Sequence, residues 1–244
     1  MVENKLYLSV IIGSYNSATA LQGNLDVLLE YLKQKNFSYE IVVVDDGSID
    51  NGLTKNVVEQ KGCRYLKNEV NLGKGASIRK GMLNTTGQFR IFTDADIPYE
   101  PEVIDTFLRY LDFKEFHMVV GDRTLGRGEY YSKVKVMRSW ASKIFAFIIG
   151  RFVAGGMFDT QCGIKGFRAE VAEDIFSVAR INGFAFDVEA FYIALKRNYD
   201  IKRLPVKLRS QDGKSVSVIK NSIRMLLDIP KILYNFYTGK YQIK

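Results

Sequence analysis

Short apolar runs rich in β-branched residues alternate with longer stretches of helical spacing through the first half of the chain. Strand patterns fall at LYLSVII (6–12), YEIVVVD (39–45), CRYL (63–66), FRIFTD (89–94) and HMVVGD (117–122). Between them, Leu21, Leu25, Leu28, Leu29 and Leu32 recur on one helical face, as do Val103, Phe107, Leu108 and Leu111. Strands alternating with helices imply βαβ units and an α/β fold with a mostly parallel sheet. In such sheets ligands bind beyond the carboxyl ends of the strands. Polar clusters fall at three of those ends: Ser14-Tyr15-Asn16, Asp45-Asp46-Gly47-Ser48 and Asp94-Ala95-Asp96.

The third cluster carries the sharpest chemistry. Strand residues two apart point to one side, so Asp94 and Asp96 converge at the strand tip before Pro98 stops the run. Two anions held that close repel, and a hard divalent cation such as Mg²⁺ or Mn²⁺ relieves the repulsion while sharing its shell with substrate phosphates. A lone acidic pair of this kind is also a common solvated turn, but three polar clusters along one sheet edge favour a site. Asp45 and Asp46 can accept hydrogen bonds from a base N–H or ribose hydroxyls. Asp50 and Ser48 read as helix caps.

The stretch NLGKGASIRKG (71–81) invites a phosphate-loop reading and fails it. Gly75 stands where that motif needs Ser or Thr, and Asn68 where its first Gly belongs. What remains is a flexible glycine turn in which Lys74 opens a helix and can approach a diphosphate.

Composition adds bounds. The chain has 244 residues, 47% of them hydrophobic, enough to bury a sizeable core in one domain. Cys63 and Cys162 make neither a disulfide framework nor a metal-ligand spacing and fit a reducing compartment. The N-terminus lacks the pattern of a signal peptide. Residues 202–244 hold ten Lys and Arg against Asp212 and Asp228, which is the entire net charge of +8. Residues 216–237 place Ile219, Ile223, Leu226, Leu227, Leu233, Tyr234 and Tyr237 at helical spacing, with Lys220, Arg224 and Lys231 on a neighbouring stripe and Pro230 expected to kink the helix. That pattern suits a helix on an anionic membrane surface, or one packed on the core. No apolar run reaches the roughly 20 residues needed to span a bilayer. No RNA-reading aromatic motif is present, so nucleic acid is not expected as a partner. Residues 1–215 thus read as one α/β domain, and 216–244 as a basic amphipathic helix and tail of the same domain or a membrane contact. Oligomeric state is left open.

Taken in order, SVIIGSYN, EIVVVDDGSID, NLGKGASIRKG and FTDADIPY resemble family 2 glycosyltransferases of the three-layer GT-A fold. GDR (121–123), MRSW (137–140), FDTQCGIKGFR (158–168) and GFAFDVE (183–189) look like the subgroup that glycosylates polyprenyl phosphates, the dolichyl-phosphate glucosyltransferases and mannose synthases. The resemblance implies an inverting, metal-dependent enzyme, peripheral at the cytoplasmic face of a membrane, with UDP-glucose as donor ahead of GDP-mannose. It implies that Tyr15, Asp45 and Asp46 hold the base and ribose, that Lys74, Asp94 and Ala95 meet the nucleotide sugar, and that Asp94 and Asp96 hold Mg²⁺ or Mn²⁺. Two departures are visible. Gly13 replaces the usual Pro and should loosen the first loop; Pro98 stands where the mannose synthases carry a further ligand.

An alcohol acceptor needs a general base, whereas a phosphate monoester with second pKa about 6 is already an anion near neutrality. A phosphate-acceptor site should therefore show arginines. Arg123 and Arg138 fit, because guanidinium pairs bidentately with phosphate; they match the family's acceptor-phosphate arginines. Asp159 is the remaining carboxylate candidate, as base or acceptor-positioning group. His117 and Cys162 read as structural. Two rivals stand beside this reading: a transferase acting on a hydroxyl of a cell-surface glycan or teichoic polymer, and a membrane-associated binding module without catalysis.

Overall fold

The computed structural model describes residues 6–123, 125, 162–207, 209 and 218–242. Strands β1 (Leu8–Ser14), β2 (Tyr39–Asp45), β3 (Arg64–Lys67) and β4 (Phe89–Asp94) are separated by helices α1 (Ala18–Lys33), α2 (Leu53–Gln60) and α3 (Lys74–Leu83). Helix α4 (Val103–Leu108) widens into a π turn (Arg109–Phe113) and leads to β5 (Met118–Asp122). Then come β6 (Lys165–Arg168), α5 (Ala169–Val178), α6 (Phe186–Lys196), β7 (Ile201–Pro205) and α7 (Val218–Tyr237).

The sheet order is β3-β2-β1-β4-β6-β5-β7. Strands β3, β2, β1 and β4 are parallel neighbours and β7 is parallel to β5, while β6 runs against both β4 and β5. The mostly parallel sheet predicted from the pattern is therefore present. Its antiparallel member was not foreseen, because four residues of mixed polarity give no strand signal.

Continuous apolar runs are what strands buried on both faces require. Alternation sends Ile11, Val42, Val44 and Phe92 to one side, against Ile78 and Met82 of α3 and the apolar faces of α5, α6 and α7. It sends Val10, Ile12, Ile41, Val43 and Ile91 to the other, against α1 and α4. Three layers result. Leu21, Leu25, Leu28 and Leu32 of α1 are all buried, each worth roughly 1.5–3 kcal/mol of transfer free energy.

One local expectation changes. Strand β1 continues past its apolar run, and Gly13 pairs with Val44 on one side and Asp94 on the other. The ladder holds this position, so the missing proline does not loosen it. In the C-terminal helix, which runs through Pro230, Met225, Ile229 and Ile232 enter the first core, whereas Leu227, Tyr234 and Tyr237 face solvent. The side chains of Ile219, Lys220, Ile223, Arg224 and Leu226 lie outside the described residues.

Candidate active site

Parallel register gathers the strand tips. Ser14 pairs with Asp45 and Gly13 with Asp94, so the three polar clusters form one rim. Tyr15 stands exposed at the first tip. Asn16 ties its loop to the second: its N–H donates to Ser48 Oγ (2.8 Å) and its Oδ1 accepts from Ile49 N–H (2.9 Å).

The second cluster is saturated. Asp45 is buried and accepts from Ser48 N–H (3.0 Å), Ser48 Oγ–H (2.5 Å) and the Tyr65 hydroxyl (2.7 Å). Asp46, also buried, accepts from Asn68 Nδ2 (2.8 Å), Leu72 N–H (3.0 Å) and Gly73 N–H (2.8 Å). Its carboxylate therefore shapes the loop that delivers Lys74. Gly52 holds the N-cap position of α2, and Asp50 reaches its first turn from two residues before, accepting from Thr54 N–H (3.0 Å) and Oγ1–H (2.5 Å). Ser48, expected to share that work, instead bridges Asp45 and Asn16, since its hydroxyl is already committed to both.

Lys74 opens α3 as the pattern predicts, and its Nζ lies 2.5 Å from Asp94 Oδ1. Burial works to lower the Lys74 pKa, but the charges of Asp94 and Asp187 outweigh it and raise it overall. The glycines around Lys74 are closely packed. A Cβ on Gly73, at φ +104°, would meet Asn182 O at 2.5 Å, and one on Gly75 would meet Ile181 O at 2.5 Å and Phe186 Cβ at 2.6 Å. The turn packs against residues 181–186, a contact that the pattern did not reveal.

Beyond β4 the chain turns sharply through Ala95 and Asp96, with Ile97 N–H donating to Asp94 O (3.0 Å). Ile97 adopts φ +37°, a region that costs a β-branched residue about 1–3 kcal/mol. Its side chain is buried in the second core, which offsets that strain and anchors the turn. Asp96 reaches solvent, yet partial burial first and the like charge of Asp94 second hold its carboxyl above the usual range. Among the described residues no three acidic, His or Cys groups cluster closely enough to hold a metal unaided. The donor set still fits a hard cation that takes further oxygens from a diphosphate: two carboxylates one residue apart, and an ammonium already seated on one of them.

Several residues that the sequence reading passed over bear on this rim. Lys165 and Asp187 face each other with Nζ 2.7 Å from Oδ1, both shut off from solvent. The contact is one of charge, because Asp187 Oδ1 receives no well-directed hydrogen bond from any described group. Burial raises the Asp187 pKa against the opposing pull of Lys165 and Lys74. The available signal was Lys165 inside the apolar run CGIKGF, and Asp187 with Glu189 inside FDVEAFYIAL. Arg209, counted only as tail charge, straps the acidic turn: its N–H donates to Pro98 O (2.8 Å), its guanidinium donates to Asn24 Oδ1, and its charge acts on Asp96.

Arg123 follows β5, half-buried, and its charge acts on Tyr99 beside the acidic turn. Ala95 O accepts a long bond from Asn24 Nδ2 (3.5 Å). Arg138 and Asp159 lie outside the described residues. His117 is structural as read, its Nδ1 accepting from Asp200 N–H (3.1 Å). Cys162 is buried, its Sγ 3.2 Å from the Tyr99 hydroxyl.

The Glycosyl transferase family 2 profile matches residues 9–176. A dolichyl-phosphate beta-glucosyltransferase of Dictyostelium discoideum is 32% identical over 263 aligned positions, which take in 100% of this chain and 80% of that protein. The Homo sapiens protein of the same description is 29% identical, over 97% of this chain and 78% of its own. Among solved structures, glucosyl-3-phosphoglycerate synthase from Mycobacterium tuberculosis, in complex with Mn²⁺, UDP and glucosyl-3-phosphoglycerate, aligns with a TM-score of 0.68 over 93% of this chain and 80% of that one. At 16% identity that likeness speaks to the fold, which is GT-A.

Proposed function

The chain belongs to glycosyl transferase family 2 and is a glycosyltransferase; on that premise we propose that it moves glucose from UDP-glucose to a polyprenyl phosphate of the dolichyl type. The observation that carries the reading is the rim itself. Lys74 and Asp94 form an ion pair beside a solvent-facing Asp96, in a chain that aligns over its full given length with 80% of a dolichyl-phosphate beta-glucosyltransferase.

In this reading Tyr15 faces the base and ribose on the rim that Asp45 shapes, and Asp46 holds the loop that presents Lys74 to the diphosphate. Asp94 and Asp96 would hold Mg²⁺ or Mn²⁺, which neutralises charge growing on the departing diphosphate. Arg123 and Arg138 orient the acceptor phosphate through bidentate bonds. A phosphate oxygen forms the new bond to the anomeric carbon as the bond to the UDP oxygen breaks on the opposite side. UDP-glucose is α-linked, so the β product in the relatives' names requires this inversion. The acceptor is already an anion near neutrality, which leaves Asp159 to position it.

The acceptor is a lipid, and no described helix is long and apolar enough to cross a membrane. Helix α7 supplies another means of approach. Leu227, Tyr234 and Tyr237 are exposed along it, with Lys231 beside them and Lys240 Nζ 4.8 Å from the Tyr234 ring centroid. Apolar and aromatic side chains interleaved with cations suit the anionic surface of a membrane's cytoplasmic face.

The test is to incubate the protein with polyprenyl phosphate, Mg²⁺ and a panel of labelled nucleotide sugars, then count label in the organic phase. UDP-glucose should give the strongest transfer. Label entering only non-phosphorylated acceptors would overturn the proposal in favour of a hydroxyl-directed enzyme.

A further inference from the structure

Two sequence blocks outside the nucleotide loops, 162–168 and 183–189, meet at the buried Lys165–Asp187 pair. Charges are rarely taken this far from water, because desolvation offsets most of their attraction. A pair retained there needs a reason beyond stability, and its connections supply one.

Lys165 Nζ donates to Cys162 O (2.8 Å). Cys162 Sγ–H and Gly163 N–H both donate to the Tyr99 hydroxyl, at 3.2 and 2.9 Å. These bonds fix the turn ahead of β6 so tightly against the acidic site that a Cβ on Gly163 would lie 2.1 Å from Asp94 Oδ2. The other oxygen, Oδ1, is held by Lys74, on which the charge of Asp187 also acts. The ion pair thus reaches both oxygens of Asp94: through the Cys162–Gly163 backbone on one side, through Lys74 on the other.

We infer that Lys165 and Asp187 are positioning residues for the donor site, setting the direction in which Asp94 presents its carboxylate and keeping Lys74 within reach of an incoming diphosphate. The inference rests on the donor-site reading above. It explains why a lysine and an aspartate are buried in two elements that meet the donor site at Asp94 and at the Lys74 turn.

A purely structural pair can be exchanged for matched apolar residues without functional effect. The decisive variant is therefore the double exchange Lys165→Met with Asp187→Leu, studied as full-length protein. Its melting temperature should stay within about 5 °C of the parent. Calorimetry should show UDP binding in the presence of Mn²⁺ weakened by about 10–100-fold, the usual effect of losing an outer-shell support. The KM for polyprenyl phosphate should not move. A stable double variant that binds Mn²⁺ and UDP within about twofold of the parent would overturn the inference.

Gly163→Ala is the second arm. It leaves the ion pair intact and displaces only the mobile end of Asp94, so the fold persists while the same binding loss appears; unchanged affinity there would equally refute the idea. Both readouts need no acceptor. A protein that binds UDP and Mn²⁺ normally but transfers nothing to lipid phosphate would sink the proposed function and leave this inference standing.

Discussion

Two pairs of aspartates stand at the tips of β2 and β4, the strands that flank β1, and the fold treats them oppositely. Asp45 and Asp46 are buried and accept six hydrogen bonds from within the chain. Asp94 ends β4 and Asp96 follows in the turn, yet among the described residues Asp94 carries a single ion pair and Asp96 turns to solvent with its carboxyl raised. A saturated, buried carboxylate is a scaffold. An under-used carboxylate beside a like charge is a place for a cation that arrives with substrate. The difference separates what builds the rim from what uses it.

Replacing Asp96 with Ala should separate the pairs most clearly. Transfer should fall on the order of 10³-fold, the scale of losing a charge-stabilising group. The melting temperature should hold within about 2 °C, because an exposed side chain holds little of the fold. A stability loss without a rate loss would erase the distinction.

The mirror experiment is Asp46→Ala. It orphans donors on Asn68, Leu72 and Gly73, and hydrogen bonds to a charged group contribute about 1.5–3 kcal/mol each. Even the lower bound of the three together, about 4.5 kcal/mol, would lower the melting temperature by about 9–18 °C, read by scanning calorimetry. If stability held and donor binding alone failed, Asp46 would belong with the working pair.

Lys74→Met sharpens the comparison further because two effects should move in opposite directions. Without its ammonium, the diphosphate loses a partner and donor KM should rise about tenfold, near 1.4 kcal/mol. Asp94 meanwhile loses its resident cation, so Mn²⁺ binding to nucleotide-free protein should tighten. Parallel losses in both would show that Lys74 supports the turn instead of competing at it.

Much of this rim was legible in the sequence. EIVVVD and FRIFTD announce strands that end in acids, and the strands run over the residues expected, Tyr39–Asp45 and Phe89–Asp94. Spacing placed the acids at one edge. It could not show which pair was saturated, because the partners of Asp45 and Asp46 lie up to 27 residues away in β3 and the Lys74 loop. Nor could it show the Lys165–Asp187 pair, whose members sit in different elements and meet only through tertiary packing. The close packing of the glycine turn was hidden for the same reason: its neighbours are residues 181–186, more than a hundred positions along the chain. Composition made α7 amphipathic, but only packing divides its apolar residues between the core and solvent.

Ser48 offers the smallest and most discriminating break. If its hydroxyl capped α2, Ser48→Ala would loosen the first turn of that helix. In the fold it donates to Asp45 Oδ1 and accepts from Asn16 N–H, so it joins the first two strand tips and leaves α2 to Asp50. Its removal should cost about 1 kcal/mol, or roughly 2–4 °C in melting temperature. Amide exchange locates that loss. Asn16 N–H should exchange faster because its acceptor is gone, while Thr54 N–H keeps the protection that Asp50 gives it. Donor KM should rise slightly, since Tyr15 sits on the loosened loop. Faster exchange at Thr54 with Asn16 unchanged would return Ser48 to the helix and detach Asp45 from the first tip. The scaffold role assigned to the buried pair would then rest on Asp46 alone.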